Sequence, residues 1–282
     1  MAFNYDSLKK ITTDSIIDGA VTGDDIAGSA VTTAKIANTA VTSNKLAVNA
    51  VNLGTNTVTG TAAISRGGTG LTSVGSSGTV LQSNGSSLSY GSIGIRSIQV
   101  FTGGGTWNRP GGVRFIHVQL VGGGGGGSGH GESGGAGGYS ERILDVSGIS
   151  SVSVSIGGES GGTYYSGAGG NGNGSSFGPY LSAGGGRGAN RNNQHSGGLG
   201  GVGSGGNLNI YGGGGGSHHE SIGPGGKSFW GGSVAGGHPQ GGNFAHNHQS
   251  HSAPGSGGRG GYYHGHRGSN GRPGMVVVTE YR

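Results

Sequence analysis

The chain has 282 residues, 75 of them glycine, with 30% hydrophobic and 10% charged residues and a formal net charge of +5. So little apolar material excludes an ordinary side-chain core over most of its length, and glycine runs at 122–127 and 212–216 break the every-third frame that collagen requires. The absence of cysteine removes disulfides and thiolate zinc sites, and the small positive charge permits an anionic partner without demanding one.

The first residues lack an apolar signal-peptide core, and no stretch approaches 18 apolar residues, so a cytoplasmic origin without membrane insertion is expected. Residues 1–56 hold a repeat, AVTGDDIAGS, AVTTAKIANT, AVTSNKLAVN. In it an aliphatic residue recurs every five positions, at Ile11, Ile16, Val21, Ile26, Val31, Ile36, Val41, Leu46 and Val51. A step of five matches neither a helical face nor strand alternation, so a turn in each pentad is needed to restore one face. A single thread cannot bury nine aliphatics, which leaves a short solenoid or several chains wound together. The shortness of the segment favours a homotrimeric stalk.

Residues 57–96 place short apolar pairs, Val80 with Leu81 and Ile93 with Ile95, between Gly, Ser and Asn turn formers, as short strands joined by tight turns do. In the remaining segment, 97–282, strands are predicted at Ile98–Phe101, Val113–Val121, Tyr139–Val146, Ser151–Ile156 and Met275–Tyr281. Alternation is cleanest in SVSVSIG, with Val152, Val154 and Ile156 on one side and serines on the other. From Ile156 to Met275 nearly everything is glycine-rich.

Ordering a run of six glycines costs roughly 6–12 kcal/mol of backbone entropy, against about 0.5–1.5 kcal/mol net per hydrogen bond. A lone run therefore stays disordered, and order demands several neighbouring runs. The conformation suited to such neighbours is the three-residue-per-turn, polyproline-II-like helix, whose N–H and C=O groups all point outward.

The motifs ISRGGTGLTS and GTVLQSNGSSLSYG resemble a junction of phage tail fibres. GTWNRPGGV, GGYSERILDV, GNGSSFG with LSAGGGRG, and GRPGMVVVTEY are similar to the polyglycine-sandwich adhesins of T-even-like phages, over most of 97–282. That resemblance implies a mainly β fold with polyglycine II helices: a repeat-built fibrous stalk (1–56), a short β junction (57–96) and a glycine-rich layered receptor-binding tip (97–282). The implied location is the distal tail fibre of a virion. The implied partners are a bacterial outer-membrane protein or lipopolysaccharide, and other phage tail or fibre proteins at the N-terminus.

On a glycine scaffold, recognition must come from the interruptions. These carry His218, His219, Lys227, Phe229 and Trp230; then His238, Phe244, His246, His248 and His251; then Tyr262, Tyr263, His264, His266 and Arg267. Their aromatic rings can stack on sugars or pack on protein, and the cations can meet envelope phosphates. An earlier loop with Tyr164 and Tyr165 is the reserve candidate. Histidine pairs without thiolates or nearby acids form no recognisable metal site, no cofactor is indicated, and no Ser–His–carboxylate set has local support. The expected function is therefore non-enzymatic, multivalent adhesion to a host surface. The alternatives are an RGG-type nucleic-acid-binding protein, suggested by RGG at Arg66 and GRGG around Arg259, and a bacterial surface structural protein. Strands framing the glycines and the pentad repeat favour the adhesin, with no nucleic acid as partner.

Overall fold

The computed structural model describes residues 21–42, 68–71, 73–164, 167–190, 196–217, 223–233, 252–261 and 267–282. The chain divides into two compact units, Met1–Val74 and Gly75–Arg282.

In the first unit every described pentad contains a turn. Gly23–Asp25 and Thr33–Lys35 are single 3-10 turns. At the first, the Asp25 carboxylate folds back to accept the Thr22 hydroxyl at 2.6 Å and the Thr22 N–H at 2.8 Å. In the pentads that follow, Ala30 donates to Ala27 and Ala40 to Ala37, both at 2.9 Å, with Ser29 and Thr39 in left-handed conformation at φ 65° and 70°. These are turns that need a positive φ at their third residue. Val21, Ile26, Val31, Ile36 and Val41 remain between 42% and 55% exposed. Ile11, Ile16, Leu46 and Val51 lie outside the described residues.

The second unit begins with a hairpin of β1 (Thr79–Ser83) and β2 (Leu88–Ser92). Its loop is tied by Asn84, whose side-chain oxygen accepts the N–H groups of Ser86 and Ser87 at 2.9 and 2.8 Å. The remaining strands are β3 (Ile95–Phe101), β4 (Gly105–Asn108), β5 (Phe115–Val121), β6 (Tyr139–Asp145), β7 (Ser151–Ser155), β8 (Ser175–Phe177), β9 (Leu181–Ala183), β10 (Gly203–Ser204), β11 (Leu208–Ile210) and β12 (Met275–Tyr281). They form two five-stranded antiparallel sheets, ordered β11-β6-β5-β12-β3 and β10-β9-β8-β7-β4. The five strands predicted from sequence are present. The short β8 to β11 lie within the stretch that reads only as glycine-rich.

The sheets face each other through alternating side chains. Val152 and Val154 of β7 are buried while the serines between them are exposed. Ile116, Val118 and Leu120 of β5 and Val276 and Val278 of β12 complete the opposite wall. Trp107 tilts on Phe177, ring centroids 5.9 Å apart, and its Nε1–H donates to Glu280 at 2.8 Å. Glu280 is fully buried; it also accepts from Gln99 at 2.6 Å and from the Ser97 hydroxyl, so the carboxylate is surrounded by donors.

The glycine runs continue from these strands and hold one another by backbone hydrogen bonds whose direction repeats every three residues. Gly122, Gly125 and Ser128 donate to Gly138, Gly135 and Glu132; Gly123 and Gly126 to Asn173 and Gly170; Gly124 and Gly127 to Arg272 and Ser269. The carbonyls of the same run accept from three further runs: from Gly186 and Ala189, from Gly258 and Gly261, and from the Ser160 hydroxyl with the Thr163 N–H. Run 122–128 is thus ringed by six others. Run 132–138 is ringed likewise, donating to 213–216, 255–258 and 184–187 and accepting from 122–128, 198–201 and 223–226.

Exposure around these two central runs follows the same period. Gly184, Arg187 and Asn190 are exposed, as are Leu199 and Val202, and as are Tyr211, Gly214 and Ser217. In 268–274 the buried positions are Gly268, Gly271 and Gly274. In these peripheral runs at least one residue in three is free to carry a side chain, whereas in 255–261 none is exposed. A Cβ on Gly124, in a central run, would meet the Ser256 carbonyl at less than contact distance.

Candidate functional site

The glycine runs have two ends. At one, Val121, Tyr139, Ser175, Ala183, Gly203, Ile210 and Met275 carry the chain into or out of the sheets. At the other the chain reverses. One described reversal is 128–132, where Ser128 donates to the Glu132 carbonyl at 2.9 Å and its hydroxyl bonds the buried Glu132 carboxylate. Beside it stand the residues that bound the other reversals: Tyr164, Asn190 and Ser196, Gly216 and Gly223, and Gly261 and Arg267.

Of the residues singled out in the sequence, Lys227, Phe229, Trp230 and Arg267 are described. His218, His219, His238, Phe244, His246, His248, His251, Tyr262, Tyr263, His264 and His266 lie outside the described residues, as does Tyr165.

The four do not form one cluster. Arg267 is at the reversing end, where its Nε donates to the Gly162 carbonyl at 3.0 Å and its guanidinium lies 5.6 Å from the centre of the Tyr164 ring. Tyr164 and Arg267 also pair as an isolated β-bridge, and Tyr164 is well exposed. This end therefore presents a cation over an aromatic face, chemistry suited to a sugar ring or an acidic group.

Phe229 and Trp230 are at the sheet end. Phe229 stacks on Tyr139 with centroids 3.7 Å apart and planes at 15°, and Trp230 meets Tyr139 edge-on at 5.8 Å. The tight turn that places them is closed by Ser228 and Gly231, which exchange backbone hydrogen bonds at 2.8 and 3.2 Å. Much of both aromatic surfaces is thus spent on packing, although Phe229 is still 46% exposed. Lys227 is exposed nearby, and its carbonyl accepts from Gly213.

Tyr139 itself belongs to a polar group that sequence reasoning does not single out. Its hydroxyl accepts from Gln119 and donates to Glu141, both at 2.7 Å, and His117 approaches Glu141 at 3.3 Å. Burial, reinforced by the Glu141 carboxylate, pushes the Tyr139 hydroxyl well above the usual phenol range. The hydrogen bond from Tyr139, followed by His117, holds Glu141 below the usual carboxylate range. The only signal in the sequence is the position of these residues on alternate places of β5 and β6, and the pairing of Gln119 with Glu141 is visible only in the register.

Among the described residues, no group of three or more His, Cys, Asp and Glu side chains could hold a metal ion, and no helix is long and apolar enough to cross a membrane. In comparisons with known proteins, no family model and no curated protein matches this chain.

Proposed function

We propose that the chain is a phage tail-fibre adhesin that binds the host surface by non-enzymatic, multivalent contact, its glycine runs adopting the polyglycine II conformation. The observation that carries this reading is the architecture of the reversing end: ten glycine-rich runs deliver the chain repeatedly to one place, where Tyr164 and Arg267 pack at the mouths of non-glycine stretches. A rigid scaffold with short interruptions at its end is the arrangement that binding loops need. The period of three in hydrogen-bond direction and in exposure is what polyglycine II, at three residues per turn, calls for.

On this reading the first unit contributes to a homotrimeric stalk, because its exposed aliphatics need a cover that one thread cannot supply. The receptor is an outer-membrane protein or lipopolysaccharide of the host, and the N-terminal part attaches to other fibre or tail proteins. Several copies on one virion multiply a modest affinity.

The test is binding of the purified full chain to host cells. Tyr164→Ala combined with Arg267→Ala should weaken binding about thirtyfold, as loss of an anchor worth about 2 kcal/mol does, at unchanged melting temperature. Trp230→Ala, which loosens the sheet-end stack on Tyr139, should leave binding within a few-fold. Full binding by the double variant overturns the assignment to the reversing end. Failure of the wild-type chain to bind any cell that the phage adsorbs to overturns the adhesin reading.

A further inference from the structure

The sheet β11-β6-β5-β12-β3 has an outer face that the second unit covers only at one end. Its composition follows from the register: Val100, Val277, Gln119, Glu141 and Leu208 form one row, and Ile98, Thr279, His117 and Ile143 the next. Phe229 and Trp230 cover the end at Tyr139. Beyond them Ile95, Ile98, Val100, Phe115, Ile143 and Leu208 are each between 40% and 63% exposed. On the β3 side, where Ile95 and Val100 lie beside Tyr281 and Val277 and Tyr281 lies beside Phe115, this is contiguous apolar surface, which on a folded protein marks an interface, while His117, Gln119 and Glu141 separate it from Ile143 and Leu208. β3 is also an edge strand, seven residues long, guarded only at its start, by Arg96 and by the register shift opposite Glu280 and Tyr281.

We propose that this face packs against the second units of other copies of the same chain. The proposal rests on the homo-oligomer reading above and assigns that oligomer a surface outside the pentad repeat. Two observations select a copy over a different partner. Charges of both signs lie on and beside the face: Glu141 next to His117 at 3.3 Å, Arg114 with Asp145 at 3.4 Å, and Arg96 on β3, which donates to the Gly111 carbonyl. The face therefore carries no large excess of one sign with which to recruit a strongly charged partner, and identical faces meet with acidic and basic groups on both sides. The first unit, in addition, exposes its own aliphatics at Val21, Ile26, Val31, Ile36 and Val41. A partner that offers apolar cover to both units, in the same order along its sequence, is another copy of this chain.

Because the chain has no cysteine, single thiols can report the contact in the full-length protein. Ile98 is 57% exposed in the single chain and Leu199, on a peripheral glycine run, 66%, so thiols at the two places would react alike in a monomer. In the oligomer isolated by sedimentation, the Ile98→Cys thiol should react with a maleimide at least tenfold more slowly than the Leu199→Cys thiol. Ile143→Cys, on the same face, should be slowed as well, which guards against a local effect at β3. Ile98→Lys with Val100→Lys should shift the sedimenting species toward lower mass without loss of far-ultraviolet signal. Equal labelling rates in an intact oligomer overturn the proposal, leave the face to another protein, and leave the homo-oligomer reading standing. A wild-type chain that sediments as a monomer at micromolar concentration overturns both.

Discussion

The two halves of the second unit are filled by opposite means. Between the sheets the filling is side chains: Trp107, Phe177 and the alternating valines and leucines keep two backbones roughly 10 Å apart. Among the glycine runs the filling is backbone itself, approached so closely that an added Cβ on Gly124 or Gly135 would strike a carbonyl group. A strand pairs in two directions, whereas run 122–128 donates in three and accepts in three. Side chains can rotate or collapse around a change. A backbone carbonyl already engaged in a hydrogen bond has nowhere to go. The sheets should therefore absorb substitutions in degrees, and the central runs should refuse them.

The largest effect expected is that of Gly124→Val. The new side chain would displace Ser256, and with it the bond from Arg272 N–H to Ser256 O at 2.8 Å and that from Gly124 N–H to Arg272 O at 2.8 Å. Gly124 and Ser256 are buried, so each loses its partner at a desolvation cost. The loss should exceed about 4 kcal/mol, a drop in melting temperature of about 8–16 °C for a unit of this size, or no folded second unit at all. An unchanged melting curve and unchanged protease resistance would show that the run tolerates side chains and would erase the contrast with the sheets.

Leu120→Ala tests the other half. Leu120 is fully buried between the sheets, and its truncation should cost about 2–5 kcal/mol, with the lower values applying if Val118 and Val276 relax into the gap. Calorimetry should find the variant folded but less stable. A loss as complete as that from Gly124→Val would mean that the sheets are no more forgiving than the runs.

What was legible in the sequence divides along the same line. Strands held by side-chain alternation declared themselves: Ser151–Ser155 shows it, and the aliphatic rows of β5 and β12 follow from composition. β8, β9, β10 and β11, two or three residues each, carry too little alternation to stand out among glycines. That glycine runs need many neighbours follows from entropy alone, but which runs are neighbours does not, since identical residues carry no register. The triplet shows where other residues occupy the exposed third, as in GGLGGVG, and vanishes in unbroken glycine. At the candidate site, aromatic residues could be recognised, but not that Phe229 and Trp230 pack on Tyr139, some 90 residues earlier, or that Arg267 meets Tyr164 at the other end. Such pairings are set by the return path of the chain.

A smaller effect is expected where sheet and loop meet. Glu141 has its carboxyl held low by Tyr139 and His117, so its ionised form adds stability above the unfolded carboxylate value of about 4.3, and this is lost as pH falls through the folded value. Tyr139, pushed up by burial, acts in the other direction, its contribution fading only as pH rises above about 10. Glu141→Gln should therefore flatten the acid side of the melting-temperature profile below about pH 4.5 by an amount equivalent to up to about 1 kcal/mol, the side chain being partly exposed. Identical acid limbs for variant and wild type would remove Glu141 from the account of acid stability.

The smallest effect expected is the most discriminating for the glycine runs. Arg187 sits within a run, and its backbone is fully engaged, its N–H donating to Leu199 at 2.8 Å and its carbonyl accepting from Gly135 at 2.9 Å. By position alone it is as deep in the scaffold as Gly186, yet its side chain is exposed while Gly186 and Gly188 are buried. A Cβ at Gly186 would meet the Gly135 carbonyl. If direction repeats every three residues, only residues in phase with Arg187 escape such contacts. Arg187→Ala should then change stability by no more than about 0.5 kcal/mol, as an exposed substitution does, while Gly186→Ala one position earlier should cost several times more. Thermal melts of the two variants measure the difference directly. Equal losses would mean that a run presents no free side, and the period of three would no longer explain where this chain can carry anything other than glycine.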